Sequence, residues 1–597
     1  MMNLQQTPRL PQRSISATPP HPDEPLDRDD PFRIADRMHH ATIASATLGI
    51  SPISLFQAWQ DWALHLAASP GKQHQILNKL LSKQVRLTRF VSDCALEGEK
   101  AEPCIEPLPQ DHRFSDPGWS KIPFSLMAQS FLLTQQWWHN ATTGVAGVST
   151  HHERLAAFYA RQFLDMLSPS NFAFGNPEVI AATMREGGAN LMRGLAYFLE
   201  DAAHVTPHEK CNFQPGRDVA TTSGEVVFRN DLVELIQYAP TTGTVMTEPL
   251  LVVPAWIMKY YILDLSPQNS LIRYLVDAGF TVFAISWVNP DERHRDVSFD
   301  DYIRRGVMAA LDAVEKITGV LHIHAAGYCL GGTLLAAAAA AMARDKDDRL
   351  KTLTMLAAQV DFDEPGELGL FIDESQLAFL EDVMWQQGYL DQKQMAGAFQ
   401  MLRSQDLVWS RMVREYLIGE RPQMNDLMAW NADATRMPYR MHTQYLRRFY
   451  LNNDLAQGRF EVNGHNVQLE DIRLPVFAVG TVTDHVAPWR SVFKLIHLFD
   501  ADVDFVLTSG GHNAGIVSEP GHPHRSYRSL QYRHGEPHPE AEKWMHETEA
   551  EPGSWWPEWA NWLKQRSTGP SAARAPGNEE TGYPPLDPAP GSYVLMK

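Results

Sequence analysis

The chain has 597 residues, of which 44% are hydrophobic and 21% charged, and a formal net charge of −19. That length exceeds what one hydrophobic core organises, so two or more structural units are expected. The acidic balance argues against a general nucleic-acid binder and supplies no polybasic membrane anchor, and no apolar run is long enough to be a transmembrane segment.

Cys94, Cys104, Cys211 and Cys329 are far apart and show no CxxC spacing, which disfavours a disulfide framework or a zinc site and fits a reducing cytoplasm. The N-terminus lacks the apolar core of a signal peptide. Residues 1–30, rich in Pro, Gln, Ser and charge, read as a disordered arm. From Pro31 to about 215 the periodicity is helical. Segments Ser54–Ala68, Gln75–Phe90, Phe124–Trp138, His151–Leu167 and Pro177–Ala202 are expected as helices, with a polar linker over Glu97–Gln110. The run His151-His152-Glu153 is a weak metal motif, because adjacent side chains on a helix point about 100° apart.

At Gly216 the period changes. Glu225–Phe228 and Leu232–Tyr238 look like paired strands, whereas Pro249–Val253 and Thr281–Ile285 are continuous apolar runs of the kind that form buried parallel strands. With helices over Ser270–Gly279 and Asp301–Thr318, a strand over Val320–Ala326 and another over Leu353–Val360, the pattern is βαβαβα. It predicts an α/β fold with an open, mostly parallel sheet covered on both faces, its first part spanning 216–362. Residues 363–450 are helical in pattern and contain Trp385, Trp409 and Trp430. Their place in the order sets them over the carboxyl ends of the strands, where they would act as a cap. The α/β pattern resumes over 451–566 with strands at Leu474–Gly480 and Val503–Leu507 and a tryptophan-rich stretch around Trp555–Trp562. That stretch and the helical N-terminal part could hold polymer or a partner, or simply pack. The Pro/Gly-rich tail, 567–597, is expected to be disordered.

Between the strand ending at Ala326 and an alanine-rich helix lies Gly327-Tyr328-Cys329-Leu330-Gly331-Gly332. A nucleophilic side chain with glycine two before and two after, at a strand-to-helix turn, is the nucleophile-elbow pattern of α/β-hydrolases, with cysteine in place of serine. A buried structural cysteine is the plain alternative. Two later strands end at Asp484 and His512, giving the order nucleophile, acid, histidine. The chemistry asks for these types: a thiol attacks as thiolate, an imidazole accepts its proton, and a carboxylate orients the imidazole. The N–H of Leu330 is a candidate oxyanion donor, and the loop Pro254-Ala255-Trp256-Ile257 is expected to supply the other, with Ile257 as the donor and Trp256 as an auxiliary residue. His485, beside Asp484, is the rival base.

On these motifs the sequence resembles the single-polypeptide polyhydroxyalkanoate (PHA) synthases, from about Pro31 to about Leu563. The matching segments are Gly327–Gly332; Val253–Ile257 with Lys259–Leu265; Ser286–Pro290; Trp430–Arg436; Asp484-His485 with Pro488-Trp489; Gly511-His512; and, nearer the start, Ser168–Phe172 and Asn176–Glu178. Three features depart from the pattern: Met258 where asparagine is common, Asn513 where an apolar residue follows the histidine, and a longer loop over Gly521–Tyr527. The resemblance implies an α/β-hydrolase fold and polymerisation of (R)-3-hydroxyacyl-CoA into polyester through an acyl-Cys329, with His512 as base and Asp484 as its partner. It implies no cofactor, since coenzyme A belongs to substrate and product. It also implies a cytoplasmic enzyme at the surface of polymer granules, a homodimer, and phasin-like proteins as further partners. The alternatives are a thioesterase or intracellular depolymerase of the same fold, and a granule-associated protein without catalysis.

Overall fold

The apolar runs pair into one sheet. The computed structural model describes residues 31–597 apart from 48, 109, 204–212, 393, 395–400 and 402–403; the arm expected over 1–30 lies outside the described residues. In chain order the strands of the sheet are β1 Gly224–Arg229, β2 Val233–Tyr238, β3 Leu250–Val253, β4 Val282–Trp287, β5 Ile323–Tyr328, β6 Leu350–Leu356, β7 Val476–Thr481, β8 Val503–Thr508, β9 Ser526–Tyr532, β10 Glu551–Pro552 and β11 Asp587–Pro588. Their spatial order is β10-β9-β8-β7-β6-β5-β3-β4-β2-β1-β11. The centre, from β8 to β4, is parallel, and antiparallel strands flank it on both sides. Strands β3, β4, β5, β7 and β8 are buried along their whole length, which is why their sequences run apolar without alternating. This is the α/β-hydrolase fold, with its active face at the carboxyl ends of β5, β7 and β8.

The first 200 residues form helices, including Pro52–Ala67, Pro70–Glu97, Phe124–Thr142 and Thr150–Met166. The helix expected over Pro177–Ala202 is two helices, Pro177–Glu186 and Ala189–Ala202. Gly187 and Gly188 both take left-handed φ, 59° and 87°, and end the first helix. The pair His151-His152 is spent on carboxylates: His152 Nδ1 meets Asp61 at 2.6 Å and His151 Nε2 meets Asp373 at 3.4 Å.

The segment after β6 does carry helices, Glu374–Gln387, Asp426–Asn431 and Tyr439–Tyr445 among them. The N-terminal helices grip it. Ser51 N–H donates to Gln376 Oε1 at 2.7 Å, Gln376 Nε2 donates to the Gly49 carbonyl at 2.7 Å, and His40 pairs with Asp382. Farther along, the Tyr416 hydroxyl donates to Asp201 and Arg421 pairs with the same carboxylate.

Two expectations about the C-terminal part need revision. Trp555, Trp556, Trp559 and Trp562 are buried, and their indole N–H groups donate to Gly515 O, Ile516 O, Thr354 Oγ1 and Asp504 Oδ2. They pack against the sheet, so they offer no apolar surface to a polymer. The tail over 567–597, expected to be disordered from its Pro/Gly content, is ordered. Pro570–Ala572 pairs with the short strand Thr244–Met246, and β11 pairs with β1 at the sheet edge. Proline is tolerated there because an edge strand needs no ladder donor on its outer side. The tail is fastened by the buried Glu234, whose carboxylate accepts from Arg229 Nε (2.7 Å), Ser592 Oγ (2.6 Å) and Tyr593 N–H (2.9 Å). Glu234→Ala leaves those donors unpaired and is expected to cost about 3 kcal/mol. Thermal unfolding would read the loss, and limited proteolysis would show new cleavage within 577–597.

Candidate active site

Cys329 sits between the last residue of β5 and the first of the helix Leu330–Asp345, at φ 52°, ψ −124°. A β-substituted residue rarely adopts that conformation, which costs about 1–3 kcal/mol. The neighbouring glycines make it attainable. A Cβ on Gly327 would lie 2.3 Å from Gly332 Cα, and one on Gly331 would lie 2.1 Å from the Val253 carbonyl oxygen. The turn is pinned by Cys329 N–H donating to the Leu356 carbonyl at 2.9 Å and by Gly332 N–H donating to the Cys329 carbonyl at 2.9 Å. The side chain of Cys329 is thereby held at the head of a helix, whose free N–H groups favour negative charge.

Asp484 and His512 come to the same point from the ends of β7 and β8, which lie side by side in register. His512 Nδ1 meets Asp484 Oδ2 at 2.7 Å, and the imidazole also hydrogen-bonds the Cys329 thiol. The carboxylate is fully occupied: Oδ2 accepts from Thr481 Oγ1 at 2.9 Å, and Oδ1 accepts from Val486 N–H at 2.8 Å and Ala487 N–H at 2.9 Å. Burial pushes Asp484 up, but the His512 charge and hydrogen bond together with those two amides outweigh it and hold the carboxyl below its ordinary value. Burial alone would lower His512; the charges of Cys329 and Asp484, with the hydrogen bonds to both, hold it well above its ordinary value. The structure thus joins the three residues as thiol, imidazole and carboxylate, an arrangement that can hold a thiolate–imidazolium pair.

The other expected residues lie as follows. Leu330 is the first residue of the elbow helix, so its N–H has no intrahelical acceptor and is available to an oxyanion. The loop carrying Ile257 passes directly over the elbow, since the Val253 and Pro254 carbonyls lie against Gly331. Ile257 accepts the Thr435 N–H on its carbonyl at 3.2 Å, and Trp256 accepts the Thr435 hydroxyl at 2.5 Å. The Trp256 ring points into the core, against Trp287, Phe299, Tyr302 and Tyr445. His485 is half-buried and its carbonyl accepts the Glu367 N–H; the imidazole bonded to both thiol and carboxylate is that of His512.

Four residues escaped the sequence reading. Tyr445 and Tyr450, from the cap, are buried beside the site; burial first, and then neighbouring groups including Cys329, raise both phenols. Their signal was a cluster of aromatics in Tyr445–Tyr450, which alone does not separate core from site. Lys259 is the third. It is buried, with Nζ donating to the carbonyls of Tyr593 (3.2 Å) and Met596 (2.7 Å), so the chain end braces the loop that carries Ile257. Tyr328 is the fourth: its hydroxyl donates to Asn513.

Known proteins share this layout. Residues 30–72 match the family model described as Poly-beta-hydroxybutyrate polymerase N terminal, and 110–275 match Poly-beta-hydroxybutyrate polymerase (PhaC) N-terminus. Residues 248–519 match the alpha/beta hydrolase fold. The poly(3-hydroxyalkanoate) polymerase of Methylorubrum extorquens is 47% identical over 511 residues, covering 84% of this chain and 83% of that one. The chain belongs to the poly(3-hydroxyalkanoate) polymerase family. The corresponding PhaC subunits of Rhizobium etli and Cupriavidus necator are 42% and 34% identical, each over 82% of this chain and over 78% and 83% of their own.

The Asp484–His512 pair sets a pH signature. A depressed carboxyl contributes stability above its unfolded value, about pH 4, which is lost as pH falls through the lower folded value. A raised imidazole contributes stability below about pH 6.5, which is lost as pH rises through the higher folded value. Asp484→Asn is therefore expected to destabilise most between about pH 4 and 6.5, by about 3 kcal/mol, and progressively less above it. Denaturant melts of both proteins across that range would check the sign.

Proposed function

We propose that this polymerase joins (R)-3-hydroxyacyl groups from coenzyme A thioesters into a polyester by acyl transfer through Cys329. The reading rests on one observation: a thiol in a strained elbow, hydrogen-bonded to an imidazole that is itself oriented by a buried carboxylate, beneath an aromatic cap.

In the first step His512 takes the thiol proton, and the Cys329 sulfur attacks the thioester carbonyl. The tetrahedral oxyanion is met by N–H donors at the head of the elbow helix, Leu330 among them, and from the loop at Ile257. It collapses with cleavage of the carbon–sulfur bond to coenzyme A, and His512 returns a proton to the departing thiolate. One thioester is exchanged for another of nearly equal free energy, so the acyl group remains activated. In the second step the 3-hydroxyl of a growing chain or of an incoming monomer gives its proton to His512, and its oxygen attacks the acyl-cysteine. The ester forms and the thiolate is regenerated. Asp484 stabilises the imidazolium in both steps.

Water is the competing nucleophile. Trp256, Phe362, Tyr445 and Phe449 form a buried aromatic mass behind the cap, and this supports transfer to a hydroxyl over hydrolysis. No resident cofactor is needed, because coenzyme A enters and leaves with the acyl group. Homodimerisation, a place at the granule surface in the cytoplasm and phasin-like partners join this proposal through family resemblance alone.

Purified protein given (R)-3-hydroxyacyl-CoA thioesters of several chain lengths should release coenzyme A in proportion to insoluble polyester. Cys329→Ser and Cys329→Ala should keep the melting temperature and lose activity by about 10³-fold or more. Free hydroxy acid in place of polymer would mean a thioesterase, and a near-normal rate in Cys329→Ala would sink the nucleophile.

A further inference from the structure

A histidine bonded through Nδ1 to one carboxylate oxygen can still pivot about that bond, swinging Nε2 away from the thiol. Asp484 alone does not stop this. The face of the ring is held by Tyr328, the residue before Cys329, whose ring centroid lies 5.7 Å from that of His512 at an interplanar angle of 36°. Tyr328 is buried, and its hydroxyl donates to Asn513 Oδ1 at 2.5 Å. Asn513 directly follows His512, and its carbonyl accepts the N–H groups of Ile516 (3.0 Å) and Val517 (2.9 Å), so it is itself fixed within the turn. The residue before the nucleophile and the residue after the base are thus tied by one hydrogen bond across the site.

We propose that the Tyr328–Asn513 hydrogen bond is a positioning brace that fixes the plane of His512 and so controls how readily the imidazole takes the Cys329 proton. The proposal rests on the reading of His512 as the base. Tyr328 does not exchange a proton in the reaction. Burial first, then the charges of Cys329 and Asp484, raise its phenol well above the ordinary value, and its proton is committed to the amide. An apolar side chain at 513 could not accept that proton, and a buried tyrosine hydroxyl without an acceptor is costly. The asparagine therefore distinguishes this chain from relatives with the apolar residue expected there.

Tyr328→Phe keeps the ring and deletes the bond; Asn513→Leu, at a half-buried position, deletes it from the other side and serves where the first variant folds poorly. The rate of Cys329 alkylation by iodoacetamide as a function of pH, which needs no acyl substrate, reads the thiol–imidazole pair directly. Steady-state coenzyme A release and melting temperature are measured beside it. Each single variant is expected to shift the alkylation profile to higher pH by on the order of one unit and to lower kcat about tenfold with KM little changed. The double variant should be no worse than either single one. A wild-type profile in both single variants, whatever their melting temperatures, would overturn the brace, as would fully additive losses in the double variant. His512→Ala separates the two claims: if it too leaves the profile unchanged, the reading of His512 as the base fails, whereas if it alone moves the profile only the brace fails.

Discussion

Everything on the active face depends on how closely backbone can approach backbone around Cys329. The left-handed turn exists because Gly327 and Gly332 nearly touch and because Gly331 lies against the carbonyls of Val253 and Pro254. Those approaches bring β3, β5 and the elbow helix within a distance that no Cβ would permit. They also bring the end of β3, and with it the loop through Ile257, next to the nucleophile. The strain at Cys329 is sustained by the fully buried sheet and by a helix whose residues Gly331 to Met342 are all buried. Alanine is the residue type there because a larger side chain would push the helix off the sheet and undo the turn.

Around that fixed centre the movable parts are tied together. The loop through Ile257 is held on one side by the cap, through Thr435 on the carbonyls of Trp256 and Ile257 and through Trp430 Nε1 on the Lys259 carbonyl at 2.8 Å. On the other side it is held by the chain end, through the Lys259 ammonium. Burial lowers that ammonium to about 8, so a lysine without an ion pair is kept charged mainly by backbone carbonyls and the more distant Asp433. The cap in turn is gripped by the N-terminal helices at Gln376, Asp382 and Arg421. A displacement of the cap that admits substrate therefore also pulls on the loop that holds a candidate oxyanion donor, which couples access to chemistry.

The thiol, carboxylate and imidazole were legible in the sequence because each sits just past an apolar run that could only be a buried strand, in an order that few folds share. The fold was legible for the same reason: β3, β4, β7 and β8 show no alternation, and that is the mark of parallel strands buried on both faces. The tail misled because composition speaks to local preference, whereas Glu234 and the free edge of β1 act from more than 300 residues away. The break at Gly187-Gly188 was visible as two glycines, but a helical pattern continuing on both sides concealed it. Tyr445, Tyr450 and Lys259 could not be singled out at all, since aromatic rows and a lone lysine acquire meaning only when folding sets them against Cys329 or the chain end.

The central claim is a covalent one, that the acyl group passes through the Cys329 sulfur. Its most direct test is to mix the protein with an (R)-3-hydroxyacyl-CoA carrying a labelled acyl group, quench in acid within the first turnovers, and map the label by peptide mass spectrometry. The account predicts a thioester adduct on the peptide containing Cys329, lost on treatment with hydroxylamine and absent in Cys329→Ala. Polymer accumulating while Cys329 carries no label at any time would contradict it.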